Sequence, residues 1–227
     1  MAKNKPPKNP GIAKDGTQRR AIAKSREKHE TLLQKLDRQA KLRKLDKHTD
    51  KSYNWFRNRV RSLGGESTRA ELMSDGKKKR RMRDAPTSGK MYTYVYDAKH
   101  KDKLPYWDAF PLIFMIGPAE GGFYGINLHY LPPRQRAALF DALLDITNNK
   151  KYNSATKVNM SYSLLKGATK FKLFKPCFKH YLFSQMQSQL LLITADEWES
   201  ALFLQTANFQ GAVNSKVWSD SILKTTT

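Results

Sequence analysis

The sequence predicts an α+β protein: a basic, helical N-terminal region joined to a compact domain built on a small, strongly curved sheet or barrel with packed helices. Three observations point there. Positive charge is concentrated at one end, since residues 1–90 carry 27 Lys and Arg against 10 Asp and Glu, while residues 91–227 carry 15 against 10. Aromatic residues are concentrated elsewhere, with 11 of the 25 lying between Met91 and Leu144. That same stretch has a strand, turn, strand, helix texture, whereas the chain before Asp84 is rich in helix formers.

The 227 residues suffice for one ordinary domain with extensions or for two small ones. A net charge of +22 repels itself in the compact state and calls for a polyanionic partner, nucleic acid first among them. A membrane surface would require a basic helix with a bulky apolar face opposite, and most of the N-terminal third has none. No apolar run approaches the ~20 residues of a membrane span, and the charged N-terminus lacks the apolar region of a secretory signal. Cys177 is the single cysteine, which excludes an internal disulfide and fits a buried, inert thiol in a protein made in a reducing cytoplasm.

Residues 1–14 mix Lys, Pro, Asn and Gly with little to bury, and read as a disordered basic arm. Residues 15–84 form the basic helical region. From Asp15 to His48 the chain is expected to be one long helix with a narrow, interrupted apolar stripe of Ile22, Leu32, Leu33, Leu36, Ala40 and Leu45. Such a helix suits a solvated surface or short coiled coil, or a path along DNA phosphates.

A second helix is expected over 49–63, with Trp55 and Phe56 docking it and Gly64 and Gly65 ending it. Arg57, Arg59 and Arg61 fan around its polar side, where guanidinium forks suit phosphate. Thr68 and Glu71 have capping-box spacing and predict a third helix from about Arg69. Its far end is a basic run, Lys77, Lys78, Lys79, Arg80, Arg81 and Arg83, too dense for nearby acids to match. It reads as a DNA contact or a solvated hinge, and residues 85–90 read as a linker.

The core domain is expected over 91–220. MYTYVYD alternates Tyr92, Tyr94 and Tyr96 with Met91, Thr93 and Val95, which is a strand. Two prolines in LPYWDAFP favour an extended edge path. Leu112–Ile116 and 123–128 form a hairpin around GPAEGG, with Gly121, Gly122 and Gly125 as turn and close-packing glycines. Pro133 opens a helix that turns Ala137, Phe140, Leu143 and Leu144 inward.

Residues 159–166 are expected to form a short helix, KFKLFKPCFKHYLF to be extended segments interrupted by Pro176, and LLLIT to be a buried strand. Thr194 and Glu197 form a second capping box, starting a helix over Ala195–Leu204 that buries Trp198, Ala201 and Leu202. Residues 221–227 are expected to fray.

Catalytic signatures are largely missing: there is no phosphate-binding Gly-rich loop with Lys, no nucleophile elbow and no zinc spacing. One loose pattern, Asp84 with Asp97 and Lys99, matches the carboxylate and lysine set of Mg²⁺ nucleases, and D-x-K arises readily in a lysine-rich chain. His129 and His180 read as core or surface polar positions rather than metal ligands. Lys170, Lys172, Lys175 and Lys179 among Phe171, Phe174 and Phe178 fit either a single-strand binder or a half-buried strand with solvated lysines. No cofactor is called for.

With NWFRNRV, KMYTYVYD, LPYWDAFPLIF, FYGINLHYLPP, FKPCFKHYL and WESALFL in place, the chain from Tyr53 to Trp218 resembles the DNA end protector proteins of T4-like bacteriophages. The resemblance implies a virion protein that binds the ends of packaged linear double-stranded DNA, shields them from host exonuclease after injection and helps complete the filled head. It carries no catalytic residues with it.

The charge pattern agrees with phosphate-driven binding through the arginines and lysines named above. Because charge alone does not explain a preference for ends, Tyr106 and Trp107 are candidates for stacking on the terminal base pair. A structural neck or head-completion protein docking on the portal, or another head or neck protein, is the alternative, and a Mg²⁺ nuclease a further one.

Overall fold

The computed structural model describes residues 30–45, 50–132, 135–136, 138–139, 142–143, 146, 151, 162–167, 170, 172–194, 197–201 and 209–226. The basic arm expected over 1–14 and the first part of the long helix lie outside these residues.

Three helices come first. Thr31 caps α1 (Leu32–Leu42) through a full capping box, its hydroxyl accepting from Gln34 N and its own N–H donating to the Gln34 side chain. The helix stops at Leu42 rather than running to His48: Arg43 caps it and Lys44 turns into the left-handed region at φ 51°. The apolar stripe read from sequence is its buried face, with Leu32, Leu33, Leu36 and Ala40 all buried.

Helix α2 (Asp50–Leu63) ends at Gly64, whose φ of 74° favours glycine. Helix α3 (Gly65–Lys78) follows at once. It begins four residues before the expected start, because the Thr68 hydroxyl donates back to Gly64 O at 2.8 Å instead of capping the helix.

The strands are β1 (Met82–Arg83), β2 (Met91–Thr93), β3 (Leu112–Ala119), β4 (Gly122–Asn127), β5 (Phe178–Leu182) and β6 (Leu190–Ile193). They pair antiparallel in one six-stranded sheet of order β1-β6-β2-β3-β4-β5. The sheet is open, with β1 and β5 as its edges, so of the two shapes expected a curved sheet forms and a barrel does not. A register shift between Met115 and Gly117 bends β3. The β3–β4 hairpin turns at Glu120 and Gly121, the latter at φ 64°. Gly122 is required by packing: a Cβ there would sit 1.8 Å from Tyr181 O on β5.

Both faces of the sheet are buried, whereas the alternation in MYTYVYD predicts only a strand. Tyr92, Tyr94 and Tyr96 pack with Ile113, Met115, Phe123 and Tyr181 on one face. Met91 joins Phe114, Ile126 and Leu191 on the other, in a cluster that also takes in Leu33 of α1, Phe56 of α2 and Leu72 of α3. The N-terminal helices therefore share the core of the sheet, and β1, just beyond α3, is its edge strand. Residues 85–90 lie along β3, with Gly89 N donating to Met115 O at 2.8 Å.

Later elements complete the shell. Residues 135–136, 138–139, 142–143 and 146 are helical, and Leu143 is buried as expected, while Ala137, Phe140 and Leu144 lie outside the described residues. Residues 162–167 are helical, and Lys172–Cys177 is a 3-10 helix rather than extended chain. Glu197 reaches back to Thr194 as its capping box predicts, ahead of the short helix α4 (Trp198–Ala201) with Trp198 and Ala201 buried. Helix α5 (Asn214–Thr226) continues through the segment expected to fray and buries Ser221.

Candidate nucleic-acid interface

The basic run lies where α3 meets the sheet edge. Lys77 and Lys78 occupy the last turn of α3 and Lys79 caps it, a placement in which cations offset the negative end of the helix dipole. Arg80 then adopts φ 53°, reversing the chain into β1. Lys77, Lys78, Lys79, Arg80 and Arg83 are all solvent-exposed. Nearby acids are engaged otherwise: Asp75 accepts from Leu32 N at the start of α1, and Asp84 accepts from the Gln189 amide at 2.7 Å. The Arg83 guanidinium donates to Arg80 O and Met82 O, which ties the reversal together.

Arg81 is placed differently from its neighbours. Its guanidinium pairs with Glu197, whose side chain is 1% exposed and which also accepts from the Thr31 and Thr194 hydroxyls. The carboxylate thus joins the start of α1, the approach to β1 and the end of β6. Nothing in KKKRRMR distinguishes Arg81 from the rest; the capping-box acid Glu197 was the visible half of the pair. On α2, Arg59 is exposed, and the side chains of Arg57 and Arg61 lie outside what is described.

Tyr106 and Trp107 stand in a different part of the molecule, in a cleft of about 550 Å³ beside β5. The edge strands β1 and β5 lie at opposite ends of the sheet order, five strand spacings apart. Tyr106 is 9% exposed, its ring 6.0 Å from Phe209 and 6.2 Å from Tyr130. Trp107 is half-buried and held by a reciprocal backbone pair with Gln210, at 3.1 and 2.9 Å. Gly211 beside it has φ 84° and packs so that a Cβ would lie 2.8 Å from Pro105 O.

A buried polar network forms the floor. Asp108 accepts from His129 Nδ1 at 2.8 Å, from the Asn127 amide at 2.9 Å and from Phe110 N at 3.1 Å. Asn127 also donates to the Tyr181 hydroxyl at 2.9 Å. Burial pushes the Asp108 carboxyl up, but the neighbouring His129 ring and the donors from Asn127 and Phe110 outweigh it and hold the group below its ordinary value. Arg136 is buried alongside, donating to Leu131 O at 2.7 Å and His129 O at 3.2 Å, and burial lowers its pKa to about 10. Lys179 lies 4.1 Å above the Tyr130 ring. His129 is thus a satisfied core histidine, whereas His180 is exposed.

Asp84, Asp97 and Lys99 do not gather around a common point. Asp84 bonds to Gln189, Asp97 pairs with Lys101 at 2.8 Å, and Lys99 is exposed on the rim of the cleft. Among the described residues no three His, Cys, Asp or Glu side chains are grouped so as to hold a metal ion. Of the interleaved lysines and phenylalanines, Lys179 faces the cleft, while Phe178 stacks on Tyr124 at 5.1 Å on the opposite face of the edge.

The sequence reading missed Asp108, Tyr130, Tyr181 and Ser221 as cleft residues, whereas Lys179 stood in the interleaved lysine and phenylalanine pattern. For Asp108 the advance signal was its place in LPYWDAFP, directly after the Tyr-Trp pair. No described helix is long and apolar enough to cross a membrane.

Residues 12–222 match the family model described as phage T4 terminal DNA protecting protein. Comparison with curated proteins and with solved structures found no match.

Proposed function

This chain belongs to the phage T4 terminal DNA protecting protein family, and on that premise we propose that it binds the ends of packaged linear double-stranded DNA and shields them from host exonuclease. It does so by occupancy rather than catalysis, resides in the virion, acts in the host cytoplasm after injection, and helps complete the filled head beside the portal or a neighbouring head protein.

The observation that carries this reading is the corner at α3 and β1. Lys77, Lys78, Lys79, Arg80 and Arg83 are exposed together where α3 turns into β1, and the nearby Asp75 and Asp84 carboxylates accept from Leu32 N and the Gln189 amide. Lysine and arginine side chains so placed grip phosphates without reading bases, which suits a terminus of any sequence. Arg59 on α2 belongs to the same class of contact. If six to ten phosphates are neutralised, affinity falls by roughly 10³ to 10⁵ between about 50 and 200 mM salt.

The test is protection. Purified protein is mixed with linear and circular duplex DNA in Mg²⁺, and the linear sample is challenged with a processive exonuclease. Survival of the linear DNA with no cutting by the protein itself supports the reading. Unprotected linear DNA overturns it in favour of a neck protein docked on the portal. Cleavage before exonuclease is added overturns it in favour of a nuclease.

A further inference from the structure

We propose that the cleft beside β5 receives one unpaired nucleotide from the DNA terminus, its base against the Tyr106 and Trp107 rings and its phosphate beside Lys99 and Lys179. The inference rests on the end-binding reading above and gives it a recognition element that phosphate contacts lack.

Size and lining select the ligand. A volume of about 550 Å³ falls within the range of small-molecule sites, ~300–1,000 Å³. A duplex, whose major groove alone is ~12 Å wide, does not enter such a space, so a single frayed or overhanging nucleotide is what the terminus offers. Tyr96, Tyr106, Trp107, Tyr130 and Tyr181 line it, and aromatic rings accept any base through its face. That tolerance matches a protein that treats termini alike.

Charge agrees with an anionic ligand. Lys99 and Lys179 are in the lining, its acid Asp108 is committed to His129, Asn127 and Phe110, and Asp220, beside the Tyr106 hydroxyl, is paired with Lys216 at 3.4 Å. One lining residue has an open valence: Ser221 is 5% exposed and its hydroxyl finds no hydrogen-bond partner among the described residues. A buried hydroxyl without a partner is costly, and a base edge or sugar hydroxyl supplies one. The rim is preorganised too, since the Trp107–Gln210 backbone pair and the close fit of Gly211 under Pro105 fix Tyr106 and Trp107 before any ligand arrives.

The experiment compares three DNAs with the full chain: a duplex with an open end carrying a short single-stranded overhang, the same sequence as a covalently closed circular duplex, and the open form with 5-iododeoxyuridine at its terminal position for photocrosslinking. Leu104, 43% exposed at the mouth, is changed to Glu, a substitution the fold tolerates at an exposed turn.

The expected result is that Leu104→Glu loses about tenfold or more in affinity for the open duplex and keeps wild-type affinity for the closed one. The wild-type cross-link then maps to residues 104–108, 130 or 176–182. Unchanged open-end affinity in the variant, or a cross-link that is absent or maps to α2 or α3, overturns the cleft while leaving end binding in place. Equal wild-type affinity for open and closed duplexes overturns the end-binding reading itself, and the cleft assignment with it.

Discussion

The Arg81 guanidinium donates Nη1 to Glu197 Oε2, across 116 positions of sequence, with both side chains withdrawn from solvent. A residue in the densest cationic run of the chain is thereby an internal tie between β1, α1 and the end of β6. Removing one member of such a pair leaves a buried charge without its partner, which costs about 3–5 kcal/mol. Glu197→Ala is expected to lower unfolding free energy by that amount in urea titration. An Arg81→Met, Glu197→Leu double variant is expected to recover most of it, because no buried charge then remains.

The exposed neighbours behave in the opposite way. Replacing Lys77, Lys78 and Arg80 together by Ala is expected to leave the melting temperature within the range of surface substitutions while weakening duplex binding. Three lost phosphate contacts reduce the slope of log affinity against log salt by about 2.7. Fluorescence anisotropy at several salt concentrations measures the slope. An unchanged slope would place the phosphate contacts elsewhere on the molecule.

Gly211 tests the rigidity of the cleft rim. Alanine at φ 84°, with its Cβ 2.8 Å from Pro105 O, must push the 105–107 segment or the 209–212 segment away. Gly211→Ala is expected to cost more than about 1 kcal/mol by denaturant titration. Hydrogen exchange at the Trp107 and Gln210 amides is expected to quicken, since these two hold the rim.

The Asp108 network sets a pH dependence. Its folded-state pKa is held below the ordinary carboxyl value of 3.8, so it contributes stability that is present above pH 3.8 and lost as pH falls through the depressed folded value. Asp108→Asn is expected to be destabilised at neutral pH by about 1–3 kcal/mol, with an acceptor lost from a buried network. The gap between the two proteins, measured by urea unfolding across pH, is expected to shrink below pH 3.8. A gap constant down to pH 2 would contradict the network.

Cys177 offers a check on the interior. Burial pushes its thiol up to about 12, against the opposing influence of Lys179 and Arg136. Alkylation of native protein at neutral pH is expected to be slow and to accelerate with denaturant, which mass spectrometry follows directly. Fast native labelling would show that the core opens near Pro176.

Local pattern determined much of this protein. The period-two alternation of MYTYVYD marks a strand, LLLIT a core strand, and the stripe Leu32, Leu33, Leu36 and Ala40 the docked face of α1, because side-chain direction follows directly from backbone period. The motifs carrying the family resemblance are of this kind, and so are the turn glycines. A basic charge balance is likewise a property of composition alone.

Tertiary structure decided what depends on partners distant in sequence. Thr68 and Glu71 have the spacing of a cap, yet α3 starts at Gly65, because the left-handed turn at Gly64 sets the boundary first. Arg81 is indistinguishable from Arg80 until β1 pairs with β6 and turns it towards Glu197. The sheet stays open because β1 and β5 lie at opposite ends of its order, which no local signal encodes. The cleft draws on residues from Tyr96 to Ser221, and only the folding of β5 and α5 against LPYWD brings them to one place.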